Sequence, residues 1–240
     1  MTNKTDDLTE ETKAPKKSLT REYIEAILIA LLLAMLIRTF IVQAFKIPSG
    51  SMEKTLLIGD HILVSKFSYG THIPNEIPFI NTKLFDDIVL FSSVPERGDI
   101  IVFKFPKDET RDFIKRVIAL PGDLLEVRRQ KVFINNRPYE DIRARHTESP
   151  SDSPLVPRDD FGPILIPEGH VFVMGDNREN SQDSRYWGYL NVKKIRGKAL
   201  IIYWSWDKIK SWVRFERFGK ILEYPDMTDP LTLKNKLHSL

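Results

Sequence analysis

Ser49, Ser51 and Lys54 lie close together in the stretch Ile47-Pro48-Ser49-Gly50-Ser51-Met52-Glu53-Lys54. A serine hydroxyl attacks poorly until a neighbour takes its proton, so the chemistry here turns on which base can serve Ser51. Three arrangements are open. His170 and Asp183 can complete a Ser-His-Asp set, although His170 sits in Glu168-Gly169-His170-Val171, a turn feeding an apolar strand that suits a structural histidine. Lys54 follows Ser51 at the Ser-x-x-Lys spacing, which puts both side chains on one face at a helix start. Penicillin-interacting enzymes use that spacing together with Ser-Asp-Asn and Lys-Thr-Gly, and neither tripeptide occurs here. The bland reading of Lys54 is a solvated lysine beside Glu53.

The third base is Lys115, in Asp112-Phe113-Ile114-Lys115-Arg116. Strand alternation puts Phe113, Lys115 and Val117 on one face and Ile114 and Arg116 on the other. An ammonium held against apolar side chains loses hydration, which lowers its pKa toward that of a general base. The competing reading is a stem lying over the sheet with its charge in water. Farther on, Gly175–Arg185 is polar almost throughout. Asx and Ser turns account for such density, but Asp183 and Arg185 fixing each other, with Ser181 offering a hydroxyl, would also brace a site. Calcium fits poorly, because Arg178 interrupts the oxygen ligands and the EF-hand glycine is missing.

Composition excludes several other chemistries. There is no cysteine, and the five histidines, at 61, 72, 146, 170 and 238, have no tight ligand spacing; neither a metal nor a cofactor is expected. A net charge of +3 is too weak to imply nucleic acid, though it permits a mild attraction to anionic lipid.

The elements that must position these residues begin at the N-terminus. Residues 1–20 are polar and unpatterned and read as a disordered tail. Residues 21–45 read as a single transmembrane anchor. Ala26–Ile37 contains no polar residue, and a helix from Ile24 to Phe45 would span about 33 Å. Arg38 can snorkel near the exit, which puts the span itself at Tyr23 to Phe40. Lys13, Lys16, Lys17 and Arg21 ahead of the span favour a cytoplasmic N-terminus, and Lys46 and Lys54 behind it weaken that bias. A buried core helix and a removable secretory signal are the alternatives.

Residues 46–222 read mainly as β-structure, in antiparallel sheets with long loops. Short β-branched or aromatic runs cover 61–69, 98–106, 111–138, 169–177 and 195–206, bounded by Gly, Pro and Asn turn signals. Within 111–138, Leu125 and Val127 alternate with Glu126, and Val132 and Ile134 with Phe133, as in a hairpin. Residues 71–95 lack alternation and read as an excursion near the membrane. The segment 141–163 reads as a surface loop. Residues 207–218 read as a short amphipathic helix or a final strand, either of which sets Trp212 and Phe215 against the body. A loose tail, 223–240, ends the chain.

Four of these stretches taken together resemble the successive boxes of the bacterial type I signal peptidases: Pro48-Ser49-Gly50-Ser51-Met52 beyond a membrane span, Arg97–Phe103, Lys115–Asp123 and Gly175–Arg185. The resemblance runs from about Arg38 to about Phe218. It implies a membrane-anchored serine endopeptidase with a Ser-Lys dyad and a mostly β body outside the bacterial cytoplasmic membrane, removing signal peptides from exported preproteins after a small-x-small sequence. By that likeness Ser51 is the nucleophile and Lys115 the general base, and the Ser49 hydroxyl with the Ser51 N–H forms the oxyanion hole. Ser181 would hydrogen-bond the lysine while Asp183 and Arg185 brace the site. Phe45, Ile47, Phe113 and Ile114 would line the substrate pockets. The implied partners are signal peptides and membrane lipid, with the export channel nearby.

Two departures stand out. Lys54 occupies the place where such chains usually carry proline, leaving that turn without proline's rigidity, and Ala119 replaces a common glycine. A penicillin-interacting acyl enzyme, a self-cleaving repressor and a catalytically silent membrane-tethered scaffold are the competing functions. The last is opposed by the intact set of Ser51, Lys115 and Ser181.

Overall fold

The computed structural model describes residues 19–70, 93–150 and 159–222. The chain divides into two compact units, Met1–Ile37 and Arg38–Leu240. In the first, helix α1 covers Leu19–Leu36, and none of its residues is buried. A π-helical turn, Ile37–Ile41, follows. No helix among the described residues is long and apolar enough to cross a membrane. The reason is visible in α1: Arg21, Glu22 and Glu25 occupy its first turns, and helical structure does not continue to Phe45 as the hydropathy alone suggests. Instead Val42–Lys46 forms strand β1, pairing antiparallel with β2, Asp60–Ser65. Strand pairing sets Phe45 opposite Ile62, where its ring packs on a core containing Ile62 and Val64.

The described residues of the second unit form two sheets. The remaining strands are β3 (Ile100–Phe105), β4 (Asp108–Ala119), β5 (Leu124–Arg128), β6 (Lys131–Ile134), β7 (Arg137–Tyr139) and β8 (Phe161–Leu165). They continue with β9 (His170–Met174), β10 (Leu190–Asn191), β11 (Ile195–Asp207), β12 (Trp212–Val213) and β13 (Lys220–Ile221). Among the described residues the larger sheet runs β1-β2-β11-β3-β4-β9-β10, with β12 and β13 also pairing on β11. The smaller one runs β7-β6-β5-β8. All pairings between strands are antiparallel. Expected alternation in the hairpin appears as Leu125 opposite Ile134 and Val127 opposite Val132, all four buried in one core cluster.

Period-2 alternation also sorts β3 and β4. Ile100, Val102 and Ile114 face one core cluster, while Ile101, Phe103, Phe113 and Val117 face another. Lys115, opposite Ile101, therefore stands among apolar side chains.

Two expectations need correction. Trp212 and Phe215 are 66% and 62% exposed, not packed on the body. The segment after β11 is neither a helix nor a full strand but β12 followed by a 3₁₀ turn, Phe215–Arg217, and it is Arg217 that turns inward to a buried carboxylate at Asp60. The supposed surface loop 141–163 contains strand residues Phe161–Pro163 and buried Arg143 and Asp159. Polar composition misled there, since Arg143 and Asp159 have partners that make burial tolerable: Asp141 for the first and Gln130 for the second. The expected excursion at 71–95 and the tail 1–20 fall mostly outside the described residues, Leu19 and Thr20 of the latter opening α1, and the tail 223–240 falls wholly outside them.

Candidate active site

Gly50–Met52 forms a single 3₁₀ turn entered from extended Ser49. Met52 anchors it, wholly buried in the core beside Ile47 and Leu56. Ser51 is buried, and its Oγ accepts a hydrogen bond of 2.8 Å from Lys115 Nζ. The same Nζ donates to the Ile114 carbonyl at 2.9 Å and lies 5.3 Å from the centre of the Phe113 ring. Only 4% of Lys115 is exposed. Burial penalises the ammonium and pushes its pKa down to about 8, against a smaller opposing pull from Asp183 and Asp176.

The two other bases stand apart. Lys54 is exposed, and its Nζ donates to the Ile142 carbonyl at 3.3 Å. His170 Nδ1 sits 2.9 Å from the Glu168 carbonyl and Nε2 is 3.5 Å from Asn191 Nδ2, an arrangement that ties the ring to its own turn.

Behind the pair lies a buried polar layer. Asp183 caps the short helix α2, Ser184–Trp187, accepting from the Arg185 N–H at 3.3 Å. It also receives Arg185 Nε and Nη2, both at 2.9 Å, and the Gly175 N–H at 3.0 Å. Burial, the largest single effect, would raise the Asp183 carboxyl, but the Arg185 charge together with the hydrogen bonds from Arg185 and Gly175 holds it below the usual carboxylate value. Ser181 is buried against Gly175, where an added Cβ would lie 2.6 Å from Ser181 Cβ and 2.5 Å from the Ser51 carbonyl. Ser181 Oγ stands near enough to Asp183 to help hold its carboxyl low, yet it has no hydrogen bond of proper geometry among the described residues. The expected Ser181–Lys115 bond is therefore not made in this structure; Nζ uses the Ile114 carbonyl instead.

Several participants were not singled out from sequence. Arg116, wholly buried, clasps Asp176 through Nε at 2.8 Å and Nη2 at 2.6 Å, and donates to the Gly98 carbonyl at 2.6 Å. The Thr55 hydroxyl donates to the same Asp176 at 2.5 Å. Next in the chain, the Asn177 N–H donates to the Ser51 carbonyl at 3.1 Å, and Asn177 Nδ2 to the Gly50 carbonyl at 3.1 Å. The available sign was a charge on an otherwise apolar strand, which can be buried only when paired.

Phe45 and Ile114 are half-buried against one core cluster and Phe113 against another, while Ile47 is only 2% exposed and presents almost no surface. Ser49 is exposed, and its hydroxyl makes no capping bond. Among the described residues no group of three or more His, Cys, Asp or Glu side chains is arranged to hold a metal.

A mainly antiparallel β body that buries a serine hydroxyl against a pKa-lowered lysine is an arrangement compatible with the serine-nucleophile class of hydrolases. The profile of the family "Signal peptidase, peptidase S26" matches residues 20–204, and the chain belongs to that family. A Signal peptidase I from Pseudomonas fluorescens is 34% identical, with 87% of this chain and 82% of that one covered. One from Aquifex aeolicus is 35% identical, covering 77% and 84%. Signal peptidase I P of Bacillus subtilis subsp. natto is 34% identical, covering 81% and 95%.

Proposed function

We propose that this serine endopeptidase, which as a signal peptidase removes signal peptides from exported preproteins, works through Ser51 as nucleophile and Lys115 as general base. The observation that carries the roles is the 2.8 Å bond between Lys115 Nζ and Ser51 Oγ in a buried setting. Neutral Lys115 takes the Ser51 proton as Oγ bonds to the scissile carbonyl carbon. The resulting ammonium gives that proton to the departing amine as the peptide C–N bond breaks. In the acyl-enzyme, Lys115 takes a proton from water as the water oxygen bonds to the ester carbonyl carbon, and the ammonium gives that proton to Ser51 Oγ as the ester C–O bond breaks.

Ser51 lies at the start of a 3₁₀ turn, where N–H groups lack partners inside the helix, and the Ser49 hydroxyl is uncommitted to capping. Both suit stabilisation of a developing oxyanion. On one side β4 pairs with β3 from Asp108 to Arg116, but on the other β9 takes up only Arg116, Val117 and Ala119. Among the described residues the edge at Asp112–Lys115 is thus open to an added substrate strand. Phe45, Phe113 and Ile114 offer shallow apolar walls beside it that suit small side chains, and Ile47 supports them from the core.

The same reading gives the chain an anchor in the helical part of 21–45, which ends before β1 begins at Val42, with a cytoplasmic tail at 1–20, an extracytoplasmic body from β1 to 222 and a loose tail at 223–240. Support comes from Ala26–Ile37, an apolar run whose described helix buries none of its residues. Exposed Trp204, Trp206 and Trp212 are of the amphipathic kind enriched where protein meets lipid headgroups. Lipid of the bacterial cytoplasmic membrane and the neighbourhood of the export channel are then its surroundings.

Purified chain in detergent should cut a preprotein once, after small-x-small, and Ser51→Ala should not cut it. Equal cleavage by Ser51→Ala, with circular dichroism matching wild type, would refute the assignment.

A further inference from the structure

The family match ends at residue 204, yet the segment after it grips the loop that follows the nucleophile. Arg217 is buried. Its Nη2 donates to the Thr55 carbonyl at 2.9 Å and to Asp60 Oδ2 at 2.6 Å, while its Nε donates to Asp60 Oδ1 at 2.9 Å. Arg214 Nη1 donates to the Ile58 carbonyl at 3.1 Å. Asp60 also accepts the Leu57 N–H at 2.8 Å and the Ser205 hydroxyl at 2.7 Å. The grip is tight enough to demand glycine at 59, where φ is +94° and any Cβ would strike the Trp206 carbonyl.

Thr55 is the joint between this clamp and the reaction centre. Its carbonyl is held by Arg217 and its hydroxyl by Asp176, and its N–H closes onto the Met52 carbonyl at 3.1 Å. Asp176 is clasped by Arg116, the neighbour of Lys115, and the next residue, Asn177, holds the Ser51 carbonyl. Both ends of the Ser51–Lys115 pair are therefore referenced to Thr55. Loss of the carbonyl bond would loosen the C-terminal side of the turn that carries Ser51, leaving Met52 in the core and the Asn177 bonds as its remaining holds, and would leave the burial of Lys115 untouched. Reaction geometry tolerates little such slack, since small misplacements cost large factors in rate.

We infer that Arg217 is a positioning residue for the cleavage reaction, holding the Ser51 turn in register with Lys115 through the Thr55 carbonyl. This rests on the reading of Ser51 as nucleophile, so Ser51→Ala is run alongside: cleavage by that variant overturns the reading, whereas its inactivity leaves the outcome to Arg217 alone.

The test compares Arg217→Lys with Arg97→Lys in the full chain in detergent micelles, on a preprotein, well below either melting temperature. Arg97 is a matched control away from the nucleophile loop. Its Nη2 donates to Asp123 at 2.9 Å and its Nη1 to the Ile118 carbonyl at 2.7 Å, so lysine there also keeps the charge and loses the fork. Both variants should lower Tm. Only Arg217→Lys should lower kcat, by about tenfold or more, a change of roughly 1.4 kcal/mol in barrier. KM should stay within about twofold of wild type, as expected where alignment and not substrate contact is lost. The acid limb of its pH profile should not move, because the burial of Lys115 is unchanged. Wild-type kcat in Arg217→Lys, an equal loss of kcat in Arg97→Lys, or a loss carried wholly by KM would each overturn the inference. Should Arg217→Lys not fold, Asp60→Asn decides: it weakens the ion pair but leaves an acceptor and the Thr55 contact. Retained kcat there supports the inference and a tenfold loss overturns it.

Discussion

Lys115 Nζ and Ser51 Oγ lie 2.8 Å apart across 64 residues of chain, and the lysine three residues from Ser51 points away from it, its Nζ on the Ile142 carbonyl. Sequence proximity and spatial proximity select different bases, and the difference can be measured.

Lys54→Ala should keep kcat/KM within about tenfold of wild type, because the side chain touches only an exposed carbonyl. Lys115→Ala should lose at least about 100-fold, the low end of general-base contributions, with an unchanged circular dichroism spectrum. Steady-state cleavage of a preprotein measures both, and a reversed order would return the Ser-x-x-Lys arrangement to favour.

The kcat/KM profile should rise through an acid limb near pH 8, the value to which burial depresses Lys115. In the proposed mechanism neutral Lys115 is the active form, so activity should increase as pH climbs past that point. Stability has its own signature. With the folded pKa near 8 and the ordinary value at 10.5, the unfolded chain retains a proton that the folded one has released between those limits. Stability therefore rises with pH across that window, by at most about 3 kcal/mol, while below pH 8 the folded state carries the full burden of a buried ammonium. Lys115→Met should flatten this rise in denaturant titrations, and Ser51→Ala should leave it in place.

Lys54 should prove a strained backbone position. Glu53 at φ −58°, ψ 143° and Lys54 at φ 91° make a type II turn closed by Thr55 N–H on the Met52 carbonyl, and its third place favours glycine. Lys54→Gly should raise stability by up to about 1 kcal/mol. Lys54→Pro, although it supplies the residue usual in similar chains, should lower stability by more than about 1 kcal/mol, since proline holds φ near −65°. Thermal unfolding of the two variants in detergent separates these signs.

Gly175→Ala should inactivate. The new Cβ would crowd Ser181 and the Ser51 carbonyl, and Gly175 also donates its N–H to Asp183. A kcat lower by at least about 100-fold, with a smaller change in KM, is the expected result, equivalent to roughly 2.7 kcal/mol of barrier. An alanine variant with wild-type kcat would mean that the contact relaxes without cost.

Local pattern determined a good deal of this protein. Alternating Leu125, Val127, Val132 and Ile134 define a hairpin because side chains of a strand point to opposite faces in turn. Turn residues mark strand ends, and an absence of βαβ spacing points to antiparallel sheets. Phe113 and Val117 around Lys115 identify an apolar face, and with it the direction of the pKa shift. What alternation cannot state is which distant segment covers that face. Only tertiary packing chose Ser51 for Lys115, drew Val42–Lys46 out of a helical-looking run onto β2, and turned Arg217 inward while leaving Trp212 and Phe215 in the open. It also left Ser181 Oγ without the lysine contact that the family likeness implies. The physical reason is the same in each case. Apolar periodicity is written residue by residue, whereas a buried charge is tolerable only where a partner from elsewhere in the chain meets it, and that meeting exists only in the folded molecule.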